Sequence, residues 1–124
     1  MTRSRRDLGD FGERVAAAHL EANGYRIVER NFRVREGEVD IIAERDSTLV
    51  FVEVRTRRGE AMGSAAESVT ATKAAHLLAV AAAYAQARDW SSDQRIDVIA
   101  VSLAPDGRVL SVEQIEGAVE EGGG

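Results

Sequence analysis

The stretch from residue 37 to residue 57, GEVDIIAERDSTLVFVEVRTR, decides the fold. β-Branched and aromatic residues crowd its two halves, a composition that strands prefer. The pattern predicts strands over residues 38–43 and 48–54, with the polar residues 44–47 as the turn between them. Residues 49–54 are almost all apolar, which is typical of a central strand covered on both faces. We therefore expect a β-hairpin at the centre of a sheet.

Two carboxylates lie inside these apolar runs, Asp40 between Val39 and Ile41 and Glu53 between Val52 and Val54, and Arg55 follows directly after the second run. Burying an unpaired carboxylate is costly, so a stable fold must supply a cation, a donor or a metal ion for each acid. If the turn has an even number of residues, Asp40 lies opposite Phe51 or Glu53 and on the same face as Arg55. The alternative is an ordinary hairpin with one solvated, charged face. The apolar flanks favour a site in which two carboxylates and a guanidinium converge.

The composition fits one globular domain. The chain has 124 residues, of which 44% are apolar and 30% are charged, and it contains no cysteine. No apolar run is long enough to span a membrane, and the basic residues at the N-terminus are not followed by the apolar segment of a secretory signal. We therefore expect a cytoplasmic protein without disulfides, thiolate chemistry or a membrane partner.

The net charge of −5 argues against a general nucleic-acid binder, but the charge is unevenly distributed. Residues 1–73 carry 13 basic and 13 acidic side chains, whereas residues 74–124 carry 3 and 8. A phosphate-binding surface is therefore predicted in the first part of the chain, on Arg3, Arg5, Arg6, Arg57, Arg58 and Lys73. The alternative is that these cations pair with neighbouring acids, or are simply solvated.

The remaining elements are predicted from apolar periodicity and from turn residues. The expected elements are a mobile arm over residues 1–6, helices over 10–23 and 71–88, and strands over 25–34, 95–103 and 108–115. Thr70 is the expected N-cap of the second helix, and residues 64–67 have capping-box spacing. A loop is expected over residues 56–63 and a disordered acidic tail over 116–124. Together with the hairpin, this predicts a single α/β domain over residues 1–115, with a mixed sheet of about five strands.

The motifs in this order resemble a known family. Gly12-Glu13 in the first helix, Gly-Glu-x-Asp-x-Ile-Ala at residues 37–43 and Phe-Val-Glu-Val at residues 51–54 are similar to the YraN-like family of small uncharacterised bacterial proteins. That family lies in the restriction-endonuclease-like superfamily, whose site combines a helix Glu, a strand Asp and a Glu-x-Lys motif. Archaeal-type Holliday-junction resolvases share the same order of core elements.

The resemblance implies a restriction-endonuclease-like fold and a metal-dependent nuclease site. Asp40, Glu53 and the carbonyl of Val54 would bind Mg²⁺ or Mn²⁺, and Glu13 would hold a metal-bound water or a second ion. The expected catalytic residues are therefore Glu13, Asp40, Glu53 and Arg55, and the expected substrate is DNA, branched or damaged DNA in particular. Mg²⁺ suits this donor set because it takes few carboxylates and keeps several waters.

One position departs from the family pattern, because Arg55 stands where the family has lysine. Arginine remains charged and cannot act as a base, although it can still stabilise charge on a phosphate. The sequence therefore leaves two functions open: a Mg²⁺-dependent nuclease, or a non-catalytic nucleic-acid-binding or scaffolding module that keeps the fold. It also leaves the oligomeric state open, with a homodimer among the alternatives.

Overall fold

Five strands form one mixed sheet in the computed structural model of the chain, which describes residues 5–59 and 69–120, with side chains from residue 8 onward. The strands lie side by side in the order of the sequence: β1 (Arg26–Val34), β2 (Gly37–Arg45), β3 (Thr48–Arg58), β4 (Asp93–Leu103) and β5 (Val109–Val119). Only β3 and β4 are parallel, and the other neighbours are antiparallel. The predicted α/β architecture with a mixed central sheet is confirmed.

Two helices cover opposite faces of this sheet. Helix α1 (Arg5–Ala22) packs Ala16 and Leu20 against one face, and helix α2 (Ala71–Ala87) packs Leu77 and Tyr84 against the other. The second helix begins after its predicted cap, Thr70. The first helix begins at Arg5 rather than at residue 10, because Leu8 and Phe11 pack against the core and hold its first turns. Neither helix in the described part of the chain is long and apolar enough to cross a bilayer.

The hairpin of β2 and β3 has a tighter turn than predicted. Asp46 and Ser47 alone form it, with positive φ angles of 51° and 63° that match the twist of the two strands. The turn still has an even number of residues, which is the condition under which Asp40 is expected on the same face of the sheet as Glu53. The prediction of a loop from residue 56 is wrong for residues 56–58. Thr56–Arg58 pair with Val101–Leu103 of β4 and extend β3.

Strand β5 continues to Val119, so the disordered tail expected from residue 116 is wrong for residues 116–119. Asp97 of β4 explains this extension. Its carboxylate is fully buried and accepts hydrogen bonds from the Arg95 guanidinium, the Gln114 amide and the backbone N–H of Gly117. These bonds hold a bulge in β5, where residues 116–118 oppose Asp97 alone. The predictions for residues 1–4, 64–67 and 121–124 lie outside the described residues.

Candidate active site

Asp40 lies where β2 separates from β3. The pairing of the two strands ends at Ile41 and Val52, and beyond that point Oδ2 of Asp40 accepts a hydrogen bond of 2.8 Å from the backbone N–H of Val54. The carboxylate therefore takes the place of a carbonyl of the sheet. The regular alternation of β2 side chains between the two faces of the sheet is also interrupted here. Val39 packs in the core under α2, whereas Ile41, two residues later, packs in the core under α1.

Glu53 lies next to Asp40, as the parity of the turn predicts. Its side chain is buried, and the two carboxyl groups are joined by a hydrogen bond. Burial, and then the charge of Asp40, raise the pKa of Glu53 to about 7. Burial also raises the pKa of Asp40, although the Val54 N–H and the charge of Lys73 oppose that rise. Without an added cation, this pair therefore favours holding one proton near neutral pH.

Two cations bracket the Glu53 carboxylate from different elements. Nη2 of Arg55 lies 3.1 Å from Oε2 of Glu53, and Nζ of Lys73 lies 3.6 Å from Oε1. The Nε of Arg55 is buried and has no hydrogen-bond partner among the described residues. Lys73 comes from the first turn of α2, where its N–H donates to the Thr70 hydroxyl at 3.1 Å. Sequence reasoning assigned Lys73 to nucleic-acid binding, because nothing in the sequence indicates that α2 begins beside Glu53.

A close helix–strand contact brings Glu13 towards this pair. Gly12 lies against β3 so tightly that a Cβ at this position would fall 1.8 Å from the Thr56 hydroxyl. This approach leaves the neighbouring Glu13 half-buried, close enough to Asp40 for the two charges to interact. Burial, followed by the charges of Asp40 and Asp10, raises the pKa of Glu13.

Two clefts flank the first half of α1. The first has a volume of about 440 Å³ and is lined by Asp10, Glu13, Arg14, Arg30 and Asn31. Asn31 hydrogen-bonds to Glu13, and the two exposed arginines make no ion pair within the described residues. The predicted binding surface of Arg3, Arg5, Arg6, Arg57, Arg58 and Lys73 contains neither Arg14 nor Arg30. The sequence does show Arg30 within a basic cluster on β1, but only the fold brings it together with α1 here.

The second cleft, of about 330 Å³, is lined by Leu8, Gly9, Val54, Arg55 and Thr56. Arg55 therefore reaches both Glu53 and an open cleft beside α1. Each of the two clefts is therefore lined by at least one arginine and by a residue that interacts with the Asp40–Glu53 pair: Glu13 in the first cleft and Arg55 in the second.

The predicted phosphate-binding residues are only partly described. Arg3 lies outside the described residues, and Arg5 and Arg6 belong to α1 without described side chains. Arg57 and Arg58 belong to the end of β3, and the Nε of Arg58 donates to the carbonyl of Pro105 at 3.0 Å.

The donor set fits a divalent cation with few protein ligands. Among the described residues, no three Asp, Glu or His side chains lie close enough together to form a metal cluster. Mg²⁺ needs only one or two carboxylates, and Asp40 and Glu53 supply two whose mutual repulsion a cation would relieve. The unpartnered Nε of Arg55 indicates that the site is missing an acceptor, such as a phosphate oxygen.

The order of the elements, with Glu13 on α1, Asp40 on β2 and Glu53 on β3, defines a restriction-endonuclease-like fold. The chain belongs to the uncharacterised protein family UPF0102, the YraN-like family that its motifs resemble, and the family model matches residues 12–101. The UPF0102 protein of Roseiflexus castenholzii is 49% identical over 123 residues, which is 98% of this chain and 99% of the relative. Those of Frankia casuarinae and Moorella thermoacetica are 48% and 45% identical over 117 and 119 residues, covering 94% and 95% of this chain and 98% and 99% of the relatives.

Proposed function

We propose that this protein is a Mg²⁺-dependent nuclease that hydrolyses phosphodiester bonds in DNA, with branched or damaged DNA as the substrate. The observation that supports the proposal is the pairing of the half-buried Asp40 with the buried Glu53, beside an arginine with an unpartnered donor. Two adjacent carboxylates withdrawn from water destabilise the fold, and a divalent cation would offset that cost. The proposal requires the protein to share a compartment with DNA, which is the cytoplasm for its bacterial relatives.

In this proposal Asp40 and Glu53, with the carbonyl of Val54, would hold the ion. When bound, the ion would lower the pKa of a water molecule and neutralise charge on the phosphate. The Val54 N–H fixes the orientation of Asp40, and the Arg55 guanidinium holds Glu53 through Nη2 while its Nε is a donor still without an acceptor among the described residues. Because arginine stays protonated, Arg55 binds charge and does not accept a proton.

Glu13 would complete the site from α1. Its raised pKa reflects a half-buried carboxyl group near Asp40, which suits a group that accepts a hydrogen bond from an attacking water or holds a second ion. Asn31 orients this carboxyl group through a hydrogen bond.

Cleavage assays on duplex, single-stranded and four-way DNA test the proposal, with Mg²⁺, Mn²⁺ or a chelator present. We expect cleavage that requires the metal and falls by about 100-fold or more in Asp40→Asn, since that change removes a ligand charge. Asp106→Asn is the matched control, because Asp106 is an exposed carboxylate paired with Arg108 in a turn. Equal cleavage by wild type and Asp40→Asn would show that the nuclease activity does not depend on the Asp40–Glu53 site.

A non-catalytic nucleic-acid-binding or scaffolding module is the second candidate. One observation favours it: Glu53 is already bracketed by two cations of the chain itself, so the pair can be neutralised without a metal. DNA binding by wild-type protein that cleaves no substrate with either metal would support this candidate over the nuclease.

A further inference from the structure

We propose that Lys73 supplies the ammonium that contacts the substrate phosphate, while Arg55 serves as the holder of Glu53. This inference rests on the proposed function and deepens it, because it assigns to α2 the cation that the family pattern places two residues after Glu53. The assignment follows from how differently the two cations contact one carboxylate.

Arg55 and Lys73 contact different oxygens of Glu53 at different distances. The Arg55 contact, at 3.1 Å, is within hydrogen-bonding range, whereas the Lys73 contact, at 3.6 Å, is an ion pair without a hydrogen bond. Within the described residues, no hydrogen bond from the ammonium competes with bonding to another acceptor. Of the two cations, Arg55 is the one close enough to Glu53 to help fix its carboxylate.

The backbone of Lys73 is held while its side chain keeps freedom to move. Its N–H is bonded to the Thr70 cap, which fixes the backbone of the first turn of α2. The side chain is 27% exposed, so the ammonium has access to solvent. The flexible four-carbon side chain of lysine allows its ammonium to move from Glu53 to an anion bound nearby.

The charges of the site explain why one cation must move. Asp40, Glu53 and the nearby Glu13 offer at most three negative charges, and Arg55 and Lys73 offer two positive charges. A divalent ion on the carboxylates would leave the site with an excess of positive charge, which a phosphodiester anion offsets. Lys73 is the more weakly held cation, so it is the one that releases Glu53 and turns to the phosphate. Lys73 should therefore oppose metal binding and favour DNA binding.

The opposite signs of these two effects provide the test. Mn²⁺ binding is measured by calorimetry, and binding of a labelled four-way DNA is measured with Ca²⁺, for wild type, Lys73→Met and Arg26→Met. We expect Lys73→Met to bind Mn²⁺ about tenfold more tightly, because a like charge is removed from beside the ion, and to bind DNA less tightly. Arg26→Met removes the same charge from an exposed pair with Glu44 and should change neither affinity at this site. Mn²⁺ affinity that is unchanged or weaker in Lys73→Met would overturn the proposal, since a purely structural lysine gives that result.

Moving the lysine to β3 gives a second test, through cleavage. We expect Lys73→Met to slow cleavage by about 100-fold, and the double variant Lys73→Met/Arg55→Lys to recover at least tenfold of that loss. Unchanged cleavage by Lys73→Met, together with faster cleavage by Arg55→Lys alone, would show that the ammonium belongs on β3 and would overturn the proposal. If wild type cleaves nothing, the nuclease proposal fails, but the paired Mn²⁺ and DNA affinities still decide the role of Lys73.

Discussion

A carboxyl group buried beside another carboxyl group makes the stability of this protein depend on pH. The folded-state pKa of Glu53 is about 7, above its ordinary value of 4.5, so the folded state binds more protons than the unfolded state between these values. The free energy of unfolding of the metal-free protein should therefore fall as pH rises from about 4.5 to about 7, by up to roughly 3 kcal/mol. Urea denaturation at pH 5 and pH 8 with a chelator measures this change.

Asp40→Asn is the informative comparison for that measurement. The amide oxygen can still accept from the Val54 N–H, but the charge that helps to raise the pKa of Glu53 is gone. We expect the variant to lose less stability than wild type between pH 5 and pH 8, and to be the more stable protein at pH 8. A parallel loss in both proteins would mean that the coupling between Asp40 and Glu53 does not contribute.

At this scale the sequence predicts part of the site. The apolar flanks and an even turn are enough to place Asp40 beside Glu53, because strand parity is a local property. The contact of Lys73 with Glu53 depends instead on where α2 crosses the sheet, and residues 60–68, which connect it to β3, carry no pattern that specifies this distance. Arg55 is predictable only in part. Its position on the same sheet face as Glu53 follows from strand parity, but its exposure to the second cleft, beside α1, does not.

Helix α1 makes its closest glycine contact with the sheet at Gly12. A side chain at Gly12 would overlap Thr56 of β3, whereas a Cβ at Gly9 would meet nothing within 4 Å. Gly12→Ala should therefore destabilise the protein by about 1–3 kcal/mol, because α1 must move away from the sheet. Gly9→Ala should stabilise it by about 0.5–1 kcal/mol through helix propensity. Thermal unfolding of the two variants provides the measurement, and equal effects would show that the contact with Thr56 yields easily.

The ends of the strands are where sequence reasoning was wrong about the elements. Thr56–Arg58 and residues 116–119 are polar or glycine-containing, so their local pattern indicates loop and tail. Both are strand because a partner already extends alongside them: β4 for the first segment, and the hydrogen bonds of Asp97 for the second. Pairing across the sheet outweighs local propensity at these positions.

Across the whole molecule, a net charge of −5 coexists with arginines in both clefts beside α1. DNA binding should therefore be weak and sensitive to salt, with a log–log slope of about −3 to −4 for about four neutralised phosphates. Arg14→Ser/Arg30→Ser should make that slope about two units shallower, because it removes from the first cleft two cations that form no ion pair with any described residue. Fluorescence anisotropy over a range of salt concentrations measures the slope. Arg108→Ser, in the β4–β5 turn, is the control, and an identical slope in all three proteins would exclude the first cleft from the DNA path.

The bulge in β5 has a consequence for behaviour at high concentration. A regular edge strand of eleven residues would present an even row of unpaired backbone groups, to which a strand of another chain could add. Here residues 116–118 oppose Asp97 alone, and Gly117 takes a positive φ of 61°, so the spacing of that row is broken near its end. The buried Asp97 therefore does more than anchor a strand, because it limits how far neighbouring molecules could join their sheets into a fibril.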